Sequence, residues 1–112
     1  MEVLVIGSNK YLLNDIMEFF IVNGYKTYYA LNNRTAISIL EKHSINLVIF
    51  DFFDFNDIKL IKYINVNHKN IEVIVSTNKR IKELLSTIKT SNYTMLQEPF
   101  RLDELKHFIE NK

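Results

Sequence analysis

The 112-residue sequence has no cysteine, one proline and two glycines. The lack of cysteine excludes a disulfide framework, a thiolate zinc site, an iron–sulfur cluster and a cysteine nucleophile. Two glycines, Gly7 and Gly24, are too few for the glycine-rich loop that cradles phosphate groups in nucleotide-binding proteins. A chain of this length can nevertheless bury roughly two-thirds of its unfolded surface, which is enough for an apolar core without covalent cross-links.

An excess of charge of one sign is also missing, because 14 basic residues face 13 acidic ones and leave a net charge of +1. This balance does not favour binding to the phosphate backbone of a nucleic acid. No apolar run approaches the ~18–20 residues of a membrane span, and the chain opens on a strand-like run rather than a signal peptide. We therefore expect one soluble, cytoplasmic domain, residues 1–112, that contacts neither nucleic acid nor membrane.

Short apolar runs alternate five times with segments that have helical periodicity. The runs are residues 3–6, 26–31, 47–50, 73–75 and 93–97. Continuous apolar runs are typical of strands that are covered on both faces, and parallel neighbours need crossover connections. The pattern therefore predicts an α/β fold with a five-stranded parallel sheet and helices on both faces.

Several residues mark the ends of the predicted helices. Gly24 stands where the first helix needs a left-handed terminating residue, and Asn32 or Asn33 can cap the second helix. The histidines fall toward the ends of three helices: His43, His68 and His107. The helix dipole favours a histidine there, and the spacing of the three fits no metal motif. We assign them no catalytic role.

In a parallel sheet of this kind the ligand site lies outside the carboxyl ends of the strands. The residues at those ends are Gly7, Ser8, Asp51, Ser76, Thr77, Glu98 and Pro99. The segments LVIFD (47–51), ST (76–77) and EPF (98–100) resemble the receiver domain of bacterial response regulators, in the CheY-like superfamily. The resemblance covers essentially the whole chain and implies the flavodoxin-like (βα)5 receiver fold.

The resemblance implies a role for Asp51 and the loss of the groups that surround it. In receivers the aspartate after the third strand accepts a phosphoryl group from a partner histidine kinase, and Asp51 matches it. Two adjacent acidic residues after the first strand hold a magnesium ion, and those positions are Gly7 and Ser8 here. The lysine that contacts the phosphorylated aspartate is replaced by Glu98.

Other receiver positions are kept in part. Ser76 is the best match for the hydroxyl residue that bonds the phosphoryl group, and Thr77 is one residue out of frame. Pro99 matches the proline after the lysine position. The aromatic residue that changes rotamer on activation is replaced by Met95, while Tyr93 lies two residues further back.

These substitutions act against phosphoryl transfer, which needs a metal ion and a cation around the transferring oxygens. Magnesium takes oxygen ligands, and neither Gly7 nor Ser8 offers a carboxylate. If Glu98 faces Asp51 from ~5 Å, an effective dielectric constant of ~20 gives a repulsion of about 3 kcal/mol. We therefore expect magnesium binding to be lost, no other cofactor to be bound, and phosphorylation to be disfavoured.

The primary interpretation is a non-enzymatic, atypical receiver domain of a two-component system or phosphorelay. Its partner would be an output domain, a histidine kinase or another regulator, and residues 78–112 carry charges of both signs that suit a homodimer. One alternative keeps phosphorylation on Asp51, and another is a flavodoxin-like domain that binds a small cofactor. Asp51 could also cap the loop before the third helix, or form a cation site with Glu98.

Four phenylalanines cluster around Asp51 in the sequence, at positions 50, 52, 53 and 55. They could fill the former charged pocket, form a patch for a partner, or simply pack beneath the neighbouring helices. Exposure of more than one of these rings would favour an interface.

Overall fold

Strands and helices alternate in this computed structural model, which describes residues 1–7, 10–50, 57–77, 93–97 and 102–110. The strands are β1 (Glu2–Ile6), β2 (Lys26–Ala30), β3 (Leu47–Phe50), β4 (Glu72–Thr77) and β5 (Thr94–Gln97). The helices within the same ranges are α1 (Lys10–Val22), α2 (Asn33–Lys42), α3 (Asp57–Asn67) and α4 (Leu102–Glu110). The helix that the sequence predicts from Asn78 onward lies outside the described residues.

The five strands form one parallel sheet in the order β2-β1-β3-β4-β5. This confirms the predicted α/β fold class. The register aligns one residue from each strand in a row close to the carboxyl ends: Ala30, Ile6, Phe50, Val75 and Met95. The strand order switches between β1 and β3, because β2 lies on one side of β1 while β3, β4 and β5 follow on the other. Sheets of this kind bind their ligands at such a switch point.

The sheet is covered on both faces, so successive residues of each central strand enter two different cores. One core lies under α2 and α3 and contains Leu4, Ile6, Ala36, Leu40, Val48, Phe50, Leu60, Ile61, Ile64, Val73 and Val75, among others. The other lies under α1 and α4 and contains Val3, Val5, Ile16, Phe20, Leu47, Ile49, Ile74 and Leu105. Burial on both faces explains why the central strands are continuous apolar runs rather than alternating ones.

Two helix ends follow the sequence prediction closely. Gly24 has φ +84°, and its N–H donates to the carbonyl of Ile21 at 3.1 Å, so it terminates α1 in the left-handed conformation. Asn32, rather than Asn33, caps α2, because its side chain accepts a hydrogen bond from the N–H of Thr35 at 2.8 Å.

The histidines lie at the ends of helices as predicted. His43 is the C-terminal cap of α2, and its N–H donates to the carbonyl of Ile39 at 3.0 Å. His68 directly follows α3, and His107 lies in the last turn of α4. None of the helices within the described ranges combines the length and apolar character needed to cross a bilayer.

Asn46 joins three strands at the amino end of the sheet. Its N–H donates to the carbonyl of Glu2 at 2.9 Å, and its own carbonyl accepts from the N–H of Glu72 at 3.1 Å. Its side-chain Oδ1 accepts from the N–H of Glu2 at 2.8 Å. One residue before β3 therefore fixes the starts of both β1 and β4.

Candidate functional site

The candidate site lies at the carboxyl ends of β1, β3, β4 and β5. The register pairs Ile6 with Phe50 and Phe50 with Val75, so these strands end at the same level of the sheet. The residues that follow Ile6, Phe50 and Val75 are Gly7, Asp51 and Ser76. Gly7 and Ser76 thus continue from one row of the sheet, and Asp51 lies outside the described residues.

Gly7 extends the pairing of β1 with β2 by one residue. It is buried, and its N–H donates to the carbonyl of Ala30 at 3.1 Å. Because glycine has no side chain, this position offers no carboxylate to a cation, and Ser8, which follows, lies outside the described residues.

Ser76 is the only polar residue among the buried residues that the structure describes, with an exposed fraction of 2%. It pairs with Leu96 of β5 and is engaged in an interaction within the structure. A buried hydroxyl has to form a hydrogen bond to avoid a desolvation cost. Thr77 is the last residue of β4 and pairs with Gln97. The role of Ser76 toward a phosphoryl group stays a prediction.

Phe50 and Met95 lie in the same row of the sheet. Phe50 is fully buried in the core under α2 and α3, so for this ring the packing interpretation is confirmed. Met95 lies in β5 opposite Val75, and the nearby Tyr93 is half-buried against the same core. The other three phenylalanines lie outside the described ranges. The remaining predicted site residues lie outside them as well: Ser8, Asp51, Glu98 and Pro99.

Among the described residues, the groups whose pKa departs from its usual value lie away from this edge. The hydroxyl of Tyr28, followed by the charge of Glu2, raises the pKa of Lys26, the first residue of β2. Partial burial, followed by a hydrogen bond to Glu41, raises the pKa of Tyr63 in the second half of α3. Within the described ranges no group of three or more His, Cys, Asp or Glu is placed to hold a metal ion.

A polar cluster at the amino end of the sheet is absent from the sequence predictions. The hydroxyl of Tyr28 donates to Oε1 of Glu2 at 3.1 Å and lies 3.2 Å from Nδ1 of His43. The rings of Tyr28 and His43 stack with their centroids 4.3 Å apart. The three residues are distant in sequence, so only the pairing of β1 with β2 could have indicated this contact.

No family model matches the sequence. Sporulation initiation phosphotransferase F of Bacillus subtilis (strain 168) is 26% identical over 113 residues, which cover 97% of this chain and 91% of that protein. The crystal structure of NtrX from Brucella abortus superposes with a TM-score of 0.85 at 19% identity, over 98% of this chain and 26% of NtrX. The crystal structure of an orphan response regulator of H. pylori superposes with a TM-score of 0.80 at 22% identity, over 99% of this chain and 94% of that protein.

These similarities, together with the strand order, show that this chain has the fold of receiver domains. The fold that the resemblance of the strand-end residues implied is therefore confirmed. The chain spans nearly the whole of the Bacillus relative but about a quarter of NtrX.

Proposed function

We propose that this chain is an atypical receiver domain that signals through protein–protein contacts and has lost the magnesium pocket and the lysine of the phosphorylation site. It is a cytoplasmic signalling module rather than an enzyme. Its partner is a histidine kinase, an output domain or another regulator of a phosphorelay. The observation that carries the proposal is Gly7, a buried glycine at the carboxyl end of β1.

The proposal begins with the oxygen atoms available to a metal ion. Magnesium is held in proteins by carboxylates and prefers strict octahedral geometry. The backbone of Gly7 is in place, paired with Ala30, but the position has no side-chain oxygen. With serine as the next residue, Asp51 is left as the one carboxylate among the three positions that hold the ion in receivers. These residues do not fit a magnesium ion.

The second support is the sign of the charge at position 98. A transferring phosphoryl group is stabilised by cations, and the receiver lysine is replaced by Glu98. Phosphorylation would roughly double the negative charge of the site with no counter-ion to offset it. Both substitutions therefore lower the affinity of the site for a phosphoryl group.

Residues 78–112 are the proposed surface for a partner, including a second copy of this chain. Within the described part of this segment, β5 forms an edge of the sheet, and α4 buries Leu105 against the core under α1. The outer side of α4 carries an ion pair between Lys106 and Glu110, with Nζ and Oε1 3.9 Å apart. Charges of both signs on one surface suit reciprocal ion pairs across a two-fold axis.

A second candidate function is phosphorelay through Asp51 without the usual metal pocket. The observation that favours it is the similarity to a protein whose name describes a phosphotransferase, over 97% of this chain. On this alternative Asp51 accepts a phosphoryl group and passes it on.

Incubation with acetyl phosphate and magnesium chloride, followed by intact-mass measurement, separates the two functions. Our proposal predicts no phosphoryl adduct, and the same mass for the native chain and for Asp51→Asn. An adduct on the native chain that Asp51→Asn abolishes would establish the phosphorelay function instead. Light scattering over a range of concentrations tests the dimer separately, since a concentration-independent monomer would remove the second copy as a partner.

A further inference from the structure

One asparagine of the chain, Asn23, stands directly before a glycine, Gly24, and none of the other asparagines does. The side-chain amide of an Asn-Gly pair is prone to attack by the backbone nitrogen of the glycine, because no Cβ shields that nitrogen. The pair joins α1 to β2, and Asn23 is exposed to water. The sequence alone therefore makes Asn23 the most reactive asparagine amide of this chain.

The fold occupies both of the groups that would react. Nδ2 of Asn23 donates to the carbonyl of Phe19 at 2.7 Å. The N–H of Gly24 donates to the carbonyl of Ile21 at 3.1 Å. The attacking nitrogen has to lose its proton first, and a hydrogen-bonded backbone N–H releases its proton to solvent only after the bond opens. The pair is therefore protected while the last turn of α1 is formed.

Further contacts hold this end of α1 closed. The N–H of Tyr25 donates to the carbonyl of Phe20 at 2.9 Å, and together with the bond of Gly24 it forms a Schellman motif. The rings of Tyr25 and Phe20 meet edge to face with their centroids 5.5 Å apart, and Phe20 is fully buried. Opening the turn therefore separates Tyr25 from a residue of the core.

From this arrangement we propose that Asn23 is a site of covalent modification, which loses its amide when the last turn of α1 opens. The deprotonated nitrogen of Gly24 attacks Cγ of Asn23, so an N–Cγ bond forms, a cyclic imide closes and the Cγ–Nδ2 bond breaks. The leaving group takes up a proton, which balances the proton lost from Gly24, and departs as ammonia. Water then opens the imide at either of its carbonyls and gives aspartate or isoaspartate. Water is the co-reactant, and no oxidant or reductant is needed.

Either product weakens the turn that restrained the reaction. A carboxylate at position 23 cannot donate to the carbonyl of Phe19, and it adds a negative charge at the negative end of α1. The last turn of α1 has no basic residue to offset that charge. Isoaspartate also lengthens the backbone by one methylene group, which disturbs the spacing of the Schellman motif. The site lies at the amino end of the sheet, so the proposal goes beyond the function proposed above and does not depend on it.

The test is incubation of the full chain in mildly alkaline buffer, with and without guanidinium chloride, followed by digestion and mass spectrometry of the peptides over time. Asn23 should be modified at least about tenfold faster in denaturant than in the folded chain, because the folded turn has to open first. Asn70 is the matched control in the same digest, since it is exposed and precedes Ile71, whose β-branched side chain hinders the attack. In denaturant it should react several-fold more slowly than Asn23.

Tyr25→Ala tests the protection by the Schellman motif, and Tyr25→Phe, which keeps the ring, is its control. Loss of the aromatic contact should speed the reaction of the folded chain by about twofold to tenfold and leave the rate in denaturant unchanged. Circular dichroism establishes that each variant is folded. Asn23→Asp, which carries one of the two products, should unfold at a lower denaturant concentration than the native chain.

Any of three results would overturn the proposal. They are equal rates at Asn23 in the folded and the denatured chain, equal rates at Asn23 and Asn70 in denaturant, and an unchanged rate in folded Tyr25→Ala. The first two comparisons use the native chain alone, so they decide the matter even if Tyr25→Ala does not fold.

Discussion

The hydrogen bond from the N–H of Glu2 to Oδ1 of Asn46 links residues 44 positions apart, and Asn46→Ala removes it. The two backbone bonds of Asn46 remain, so the fold is kept while one long-range link is lost. A hydrogen bond of this kind contributes about 1 kcal/mol net, within a range of about 0.5–1.5 kcal/mol. Because Asn46 is exposed, water can replace part of the bond. The expected loss of unfolding free energy is therefore about 1 kcal/mol rather than the larger penalty of a buried unpaired group.

The loss of stability translates into a measurable change in melting temperature. The entropy of unfolding is about 2.1 cal/mol/K per residue, or about 0.24 kcal/mol/K for this chain. A loss of about 1 kcal/mol therefore lowers Tm by about 4 °C. The assay is thermal and urea unfolding followed by far-ultraviolet circular dichroism, because the chain has no tryptophan to serve as a fluorescence probe.

Asn14→Ala is the matched control, since Asn14 is exposed in α1 and the same atoms are removed. It should be neutral or slightly stabilising, because alanine is the better helix former. If Asn46→Ala loses less than about 0.3 kcal/mol, or if Asn14→Ala loses as much, the link between the strand ends does not stabilise the fold.

Two further predictions concern Gly24 and Tyr63. Gly24→Ala should lose about 1–2 kcal/mol of unfolding free energy in urea, because a Cβ there meets no atom within 4 Å but φ is +84°. Gly24→Asn should lose less, and an equal loss would show that the cost is not conformational. The raised pKa of Tyr63 means that its contribution to stability is complete below pH 10.0 and is lost as the pH rises through the folded-state value. The free energy of unfolding, measured in urea at successive pH values, should therefore fall less steeply above pH 10.0 in Tyr63→Phe than in the native chain. Equal slopes of this free energy against pH would show that Tyr63 is not responsible for the loss.

The sequence was sufficient to predict the features that depend on local pattern. Residues 47–50 form β3 with the predicted bounds, and Gly24 and Asn32 end and begin helices as their chemistry requires. The fold class followed because five buried runs with intervening helices have few other arrangements. The position of Gly7 at the end of β1 also followed, since the strand and the residue after it are adjacent in sequence.

The features that the sequence did not reveal depend on contacts between distant residues. Asparagine is abundant throughout this chain, so nothing in the composition distinguishes Asn46 from the others. Its function appears only when the sheet brings Glu2 and Glu72 to either side of it. The contact of Tyr28 with His43 has the same origin, since it joins elements that the strand order places together.

The most direct test of the central claim is an amide NMR titration with magnesium and beryllofluoride. The native chain is compared with the triple variant Gly7→Asp, Ser8→Asp and Glu98→Lys. We expect no saturable shift of the Gly7 and Ser76 amides in the native chain. We expect magnesium-dependent shifts of residue 7 and Ser76 in the variant, because its site regains two carboxylates and a cation. Saturable magnesium-dependent shifts in the native chain would contradict the claim that the pocket has been lost.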